Sequence, residues 1–226
     1  MNEDQDKENR RDFLALAASA AAIGMGAALS APQAVAAHHE PATEMAGDIA
    51  RWFDAVPGRH RQVTDWPELN NGMGLMYTLG FLMTAPVGLG VPPSEVGAVL
   101  VIRPDTIALA LGDAVWAKYR LGEMFHIEDP ETKAPAVRNP YYLEPGALPF
   151  AEAALARLIE RGVGVVACEL ALTFRSAMIA KKLGFDPAAA RKEWLDAVLP
   201  GVRVMPSGVF ACHAAAKRGC TYLFAG

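Results

Sequence analysis

The sequence lacks the short motifs by which most α/β enzymes are recognised. It contains no G-x-G-x-x-G, no G-x-x-x-x-G-K-[ST], no H-E-x-x-H and no G-x-S-x-G. Gly88-Leu89-Gly90 lacks the third glycine of a dinucleotide fingerprint and is followed by Val91-Pro92-Pro93. Dinucleotide binding, P-loop phosphate binding, zincin proteolysis and serine-hydrolase chemistry are therefore unsupported, and neither a cofactor nor a metal site is evident.

Net charge and cysteine are also scarce. The 226 residues carry a formal charge of −4, and no basic stripe follows the N-terminus, so nucleic acid is not an expected partner. Cys168, Cys212 and Cys220 are the three cysteines, and no C-x-x-C occurs, which leaves a thioredoxin motif and c-type haem attachment unsupported. An odd number leaves at least one thiol unpaired or paired with another chain. Whether Cys212 and Cys220 form a disulfide is not decided by the sequence, because it depends on the distance between their Cα atoms.

The N-terminus has the ordered parts of an export signal. Arg10 and Arg11 precede an apolar run rich in Ala, Gly and Leu, and the small residues Ala34 and Ala36 supply an A-x-A cleavage site. Residues 1–36 thus resemble a twin-arginine (Tat) signal, which implies export of a folded protein to the periplasm. Two alternatives are an uncleaved membrane anchor with a periplasmic domain, and a surface helix with a chance Arg-Arg pair. We expect membrane contact only if the signal is not cleaved.

The rest of the chain is predicted to form a linker with a peripheral helix (37–58) and one α/β domain (59–226). Two of five short segments, 96–102 and 162–168, are aliphatic runs without polar alternation, and we expect all five to form buried rather than alternating strands. Because predicted helices separate them, we expect a flavodoxin-like, largely parallel five-stranded sheet with helices on both faces. The predicted strands are 59–66, 96–102, 162–168, 202–205 and 221–224. Long helices are predicted at 106–121 and 148–161, and a proline-rich inserted arm at 122–146.

Cys168 lies where the third predicted strand ends and a helix begins. That helix places Leu170, Phe174 and Met178 on one apolar face, as an amphipathic helix does. Ligands of open α/β sheets gather at the carboxyl ends of strands, and a helix N-terminus favours a thiolate over a thiol. Cys168 is therefore the candidate reactive residue. The alternative is a small core residue, which free cysteine often is.

Polar side chains follow the other predicted strands at the same edge. Asn71 follows the first strand, Arg103 and Asp105 the second, and Ser207 the fourth. Because parallel strands end at one edge, these four residues are candidate ligand-binding groups around Cys168.

Four segments of the chain show a shared family pattern: 96–110, 162–168 with its following helix, 200–209 and 217–222. In these segments the chain resembles the DsrE/DsrF-like family of small α/β proteins. The resemblance implies a flavodoxin-like fold and assembly into dimers, trimers or hexamers. In sulfur-transfer members, a cysteine at the position of Cys168 carries persulfide sulfur.

Two functions are therefore expected. The first is an exported DsrE-like sulfur or thiol carrier, or small-ligand handler, that uses Cys168. The second is a non-catalytic binding or assembly subunit that uses the strand-end pocket and the 122–146 arm. Both imply a homo-oligomer or a partner protein, with a small molecule as a further candidate ligand.

Overall fold

The structure, a computed structural model, describes residues 42–226. The predicted signal (1–36) and the start of the linker lie outside the described residues. By internal contacts the chain divides into residues 1–50 and 51–226. Helix α1 (Ala42–Asp54) begins in the first unit, and all five strands belong to the second.

Five strands form one sheet in which every pairing is parallel. Their order across the sheet is β4-β3-β2-β1-β5. The predicted five-stranded parallel α/β architecture is thus confirmed. The strands are β1 (His60–Trp66), β2 (Val96–Ile102), β3 (Gly164–Cys168), β4 (Val202–Met205) and β5 (Cys220–Phe224).

Helices cover both faces of this sheet. On one face α2 (Met73–Leu89) packs on β1, where Thr78 Oγ1 donates to Thr64 Oγ1 at 3.1 Å, and the core there includes Trp66. Leu172 of α6 (Glu169–Leu183) joins the same core. The opposite face carries α8 (Gly208–Ala216), whose first residue lies against Arg103. The other helices are α3 (Asp113–Trp116), α4 (Leu121–Met124), α5 (Leu155–Glu160) and α7 (Pro187–Asp196).

The long helix predicted for 106–121 is wrong. The chain forms a 3₁₀ turn (Ile107–Ala110), then the single turn of α3, and only later α4. Between the turns Leu111 makes an antiparallel bridge with Val198, and Gly112 N–H donates to Ala197 O at 2.8 Å. These tertiary bonds take backbone groups that a continuous helix would need.

The helix predicted for 148–161 is shorter than expected. It consists of a 3₁₀ turn (Ala151–Ala153) and the six residues of α5. The Leu155 N–H donates to Tyr141 O at 2.9 Å, and the Ala156 N–H donates to Tyr142 O at 3.0 Å. The start of the helix is therefore set by the preceding arm.

The proline-rich arm (122–146) is packed onto the domain. Ile127, Ala136 and Tyr141 are buried. The buried Asn139 amide donates to the carbonyl oxygens of Leu109 and Leu111, both at 2.9 Å. These bonds satisfy backbone carbonyls where the predicted helix is interrupted, so the arm completes the core.

Within the described residues, one helical stretch is long and apolar enough to span a membrane by length and composition, Asn70–Leu89. Its buried side contributes Leu75 and Leu79 to the core. Its other side exposes Met83, Val87 and Leu89.

Candidate functional site

Cys168 is the last residue of β3 and the N-cap of α6. Its Sγ accepts the Ala171 backbone N–H at 3.4 Å, so the sulfur stands where a capping oxygen normally stands. The residue keeps 6% of its surface exposed. The positive end of a fifteen-residue helix therefore points at this sulfur.

A second helix begins beside it. Cys168 pairs in register with Met205 of β4, and two residues later Ser207 caps α8, accepting the Phe210 N–H on Oγ at 3.0 Å. The chain leaves β3 toward one face of the sheet and β4 toward the other. Such a divergence between neighbouring strands is a topological switch point, the usual place for a ligand in an open α/β sheet.

Arg103 is held by a residue that sequence analysis did not select. Its Nε and Nη2 donate to the two carboxylate oxygens of Asp65 at 2.8 and 2.6 Å. Tyr222 Oη donates to the same carboxylate at 2.7 Å. Burial alone would lower the pKa of Arg103, but the Asp65 carboxylate outweighs it and raises that pKa. Asp65 keeps only 1% of its surface exposed in β1, and an acid that is buried so fully needs a cationic partner.

Cys212 lies beside this Asp65–Arg103–Tyr222 network. Burial and the Asp65 carboxylate raise the pKa of Cys212 to about 12, although Arg103 opposes that rise. Burial likewise raises the pKa of Cys220. Both thiols therefore stay protonated at neutral pH, and all three cysteines are free. The Cys212–Cys220 disulfide that the sequence left open is not formed.

The other predicted ligand-binding residues have separate surroundings. Asp105 forms an ion pair with Arg175 of α6. Asn71 is exposed in the turn after β1, with a positive φ of 53°. Arg103 is bound to Asp65 and Ser207 caps α8, so their polar groups already have partners. Gly208, the residue after Ser207, lies against the Arg103 side chain, so Arg103 and Ser207 are brought close together.

The apolar face of α6 points to solvent. Leu170 (50% exposed), Phe174 and Met178 are exposed, whereas Leu172, Ile179 and Ala180 enter the core. Leu170 is two residues from Cys168, so this surface, the α6 apolar face, begins at the thiol and runs away from it.

No group of three or more His, Cys, Asp or Glu side chains suited to a metal ion occurs in the part of the chain that the structure describes. A shallow surface depression is lined by arm residues, including Glu123, His126 and Pro135. None of the strand-end candidates lines that depression.

The fold and site define an α/β protein with a strand-end cysteine. No protein-family model matches the chain, and no curated protein matches it. Among solved structures, it is similar to a protein of unknown function from Methanobacterium thermoautotrophicum. That likeness has 15% identity and a TM-score of 0.38, and it covers 73% of this chain and 98% of the other.

Proposed function

We propose that the protein is an exported, DsrE-like carrier of sulfane sulfur that holds its cargo on Cys168. The observation that carries the proposal is the capping bond from the Ala171 N–H to the Cys168 sulfur at 3.4 Å. A persulfide keeps a sulfur at that position and adds a terminal anionic sulfur outside it. The helix N-terminus favours the negative charge on that terminal sulfur.

The contrast among the three cysteines supports the choice of Cys168. Burial raises the pKa of Cys212 and of Cys220, which disfavours the nucleophilic thiolate at both. Cys168 has a backbone donor and stands at the switch point, with the capped start of α8 on the neighbouring strand. Within residues 42–226, this is the one place where a thiol and two helix N-termini follow adjacent strands.

The proposed step is a sulfur transfer without net oxidation. The Cys168 thiolate attacks the outer sulfur of a donor persulfide, R–S–SH, and forms a new S–S bond. The donor S–S bond breaks, and the donor leaves as the thiolate R–S⁻. Cys168 then carries –S–SH, and an acceptor thiolate takes the outer sulfur by the same exchange.

The test is intact mass of the full chain after incubation with a small-molecule persulfide. We expect one added sulfur, about 32 Da, that is lost on reduction. Cys168→Ser should abolish the addition, while Cys212→Ser and Cys220→Ser should retain it. Loading that persists in Cys168→Ser would refute the proposal.

A second function, a binding or assembly subunit, is favoured by the α6 apolar face. Three exposed apolar side chains on successive turns of one helix form the kind of patch that contacts other proteins. We expect Phe174→Lys to remove a co-purifying partner from native mass spectra. The matched control is Phe150→Lys, a similarly exposed aromatic outside α6. If neither variant changes the bound mass, this second function fails.

A further inference from the structure

The β5 strand is an edge strand without the usual protection. Natural edge strands are commonly guarded by lysine, proline or a bulge. The five residues of β5, CTYLF, include no charge and no proline. Tyr222 and Phe224 expose 54% and 53% of their surfaces. The strand pairs with β1 on one side only, at the end of the sheet.

The backbone groups on the outer side of β5 follow from its pairing with β1. Asp65 pairs with Phe224, and the Ala225 N–H donates to Asp65 O at 2.9 Å. In a parallel ladder the residues whose N–H and C=O point to the partner alternate along the strand. Leu223 and Ala225 therefore face β1, and Cys220, Tyr222 and Phe224 direct their N–H and C=O groups outward.

We propose that a second copy of this chain pairs with β5 in antiparallel orientation, so that the two sheets become one of ten strands. A two-fold axis at Tyr222 sets Tyr222 opposite its counterpart, and Cys220 opposite Phe224. All of these are outward-facing positions, so each would exchange both backbone hydrogen bonds with the residue opposite. The register is thus self-complementary, as a two-fold interface requires.

The side chains fit a second copy as well. The two half-exposed Tyr222 side chains would lie on the same face of the joined sheet, and each can keep its hydrogen bond to Asp65 of its own chain. Each half-exposed aromatic leaves on the order of 100 Å² to be covered, so the strand supplies the apolar centre of an interface that needs about 800 Å² per partner.

Charge at the two ends of the strand is complementary. Exposed Lys217 precedes β5, whereas exposed Glu68 follows Pro67, which packs near Gly226 at the other end. Antiparallel pairing brings the lysine end of one copy to the glutamate end of the other, twice. The edge itself introduces no like charges.

The first experiment is sedimentation velocity of the full chain. We expect a dimer for the wild type and a monomer for Phe224→Lys, which places a charge in the apolar centre. Leu143→Lys, an exposed apolar residue on the arm, is the matched control and should remain a dimer. Equal melting temperatures for the two variants would show that both are folded. A monomeric wild type, or a dimer that survives Phe224→Lys, would overturn the proposal.

Cross-linking tests the register independently. Opposed residues at a hydrogen-bonded antiparallel position have Cα atoms about 5.5 Å apart, which suits a disulfide. Tyr222→Cys should therefore form a 222–222 disulfide under mild oxidation, identified by peptide mass. Thr221→Cys should not cross-link to itself, because its counterpart lies two residues out of register. Cross-linking at 221 with none at 222 would refute the register.

Discussion

Cys168 and Ser207 both cap a helix that follows a strand, but they do so with different atoms. Cys168 is the last residue of β3 and Ser207 comes two residues after β4, and each caps the next helix, Ser207 through an oxygen and Cys168 through a sulfur. The serine is satisfied by the cap alone. The cysteine offers a nucleophile, so the same geometry gives it a chemical use that Ser207 does not have.

Within the Asp65–Arg103–Tyr222 network, replacing Asp65 should reduce the stability of the fold most. Asp65→Asn would leave Arg103 without its carboxylate partner while most of the guanidinium side chain stays shielded. We expect a loss of about 2 to 3 kcal/mol in unfolding free energy, below that of a fully buried pair because Arg103 retains some contact with water.

Denaturant unfolding of Asp65→Asn measures this loss. Asp196→Asn removes the exposed partner of Lys192 and serves as the control, with little change expected. Equal effects of the two substitutions would show that the Asp65–Arg103 pair does not stabilise the fold.

At the scale of the element, strands were easier to predict than helices. Strand β2 is a short aliphatic run whose seven residues are all buried, as predicted. The predicted burial is wrong for β5, where Thr221, Tyr222 and Phe224 are exposed because β5 lies at the edge of the sheet. The segment 106–121 has helical composition, but its backbone bonds go to Val198 and Ala197 instead. No local pattern reports such distant partners.

Gly97 in β2 lies in close contact with the backbone of Pro57. A Cβ there would lie directly against the carbonyl oxygen of Pro57, which cannot move aside as a flexible side chain can. Gly97→Ala should lower the unfolding free energy by about 3 kcal/mol through overpacking. Gly80→Ala in α2 is the matched control, since its Cβ would meet nothing within 4 Å.

Gly80→Ala should raise the unfolding free energy by about 0.5 to 1 kcal/mol, because alanine favours the helical conformation more than glycine does. Equilibrium unfolding in urea measures both changes. A neutral Gly97→Ala would contradict the close approach of Pro57 to β2.

At the scale of the whole molecule, two tyrosines and one cysteine hold their protons more tightly in the folded state, so the free energy of unfolding should fall at alkaline pH. Burial and the hydrogen bond to Glu193 raise the pKa of Tyr119 to about 12. Burial and the hydrogen bond to Asp65 raise the pKa of Tyr222 to about 12 as well. Cys212 follows the same direction.

In the unfolded chain these groups lose their protons at the ordinary values of 9.0 for cysteine and 10.0 for tyrosine. Their stabilising contribution is therefore complete below about pH 9 and falls as the pH rises toward about 12. Unfolding free energies measured at pH 8, 10 and 11 should decline in that order. Tyr119→Phe should make the decline shallower, and a constant free energy across this range would contradict the assignment.

Local runs of residues and their order were enough to predict the five strands and the position of Cys168 at a strand end, but not the exposure of β5 at the edge of the sheet. The strand order, the Asp65–Arg103–Tyr222 network and the outward direction of the α6 apolar face were decided only by the tertiary structure. Asp65 and Tyr222 are 157 residues apart along the chain, and only the β1–β5 pairing makes them neighbours. An apolar helix face is equally visible in the sequence whether it meets the core or solvent, so its direction depends on which side of the helix the sheet occupies.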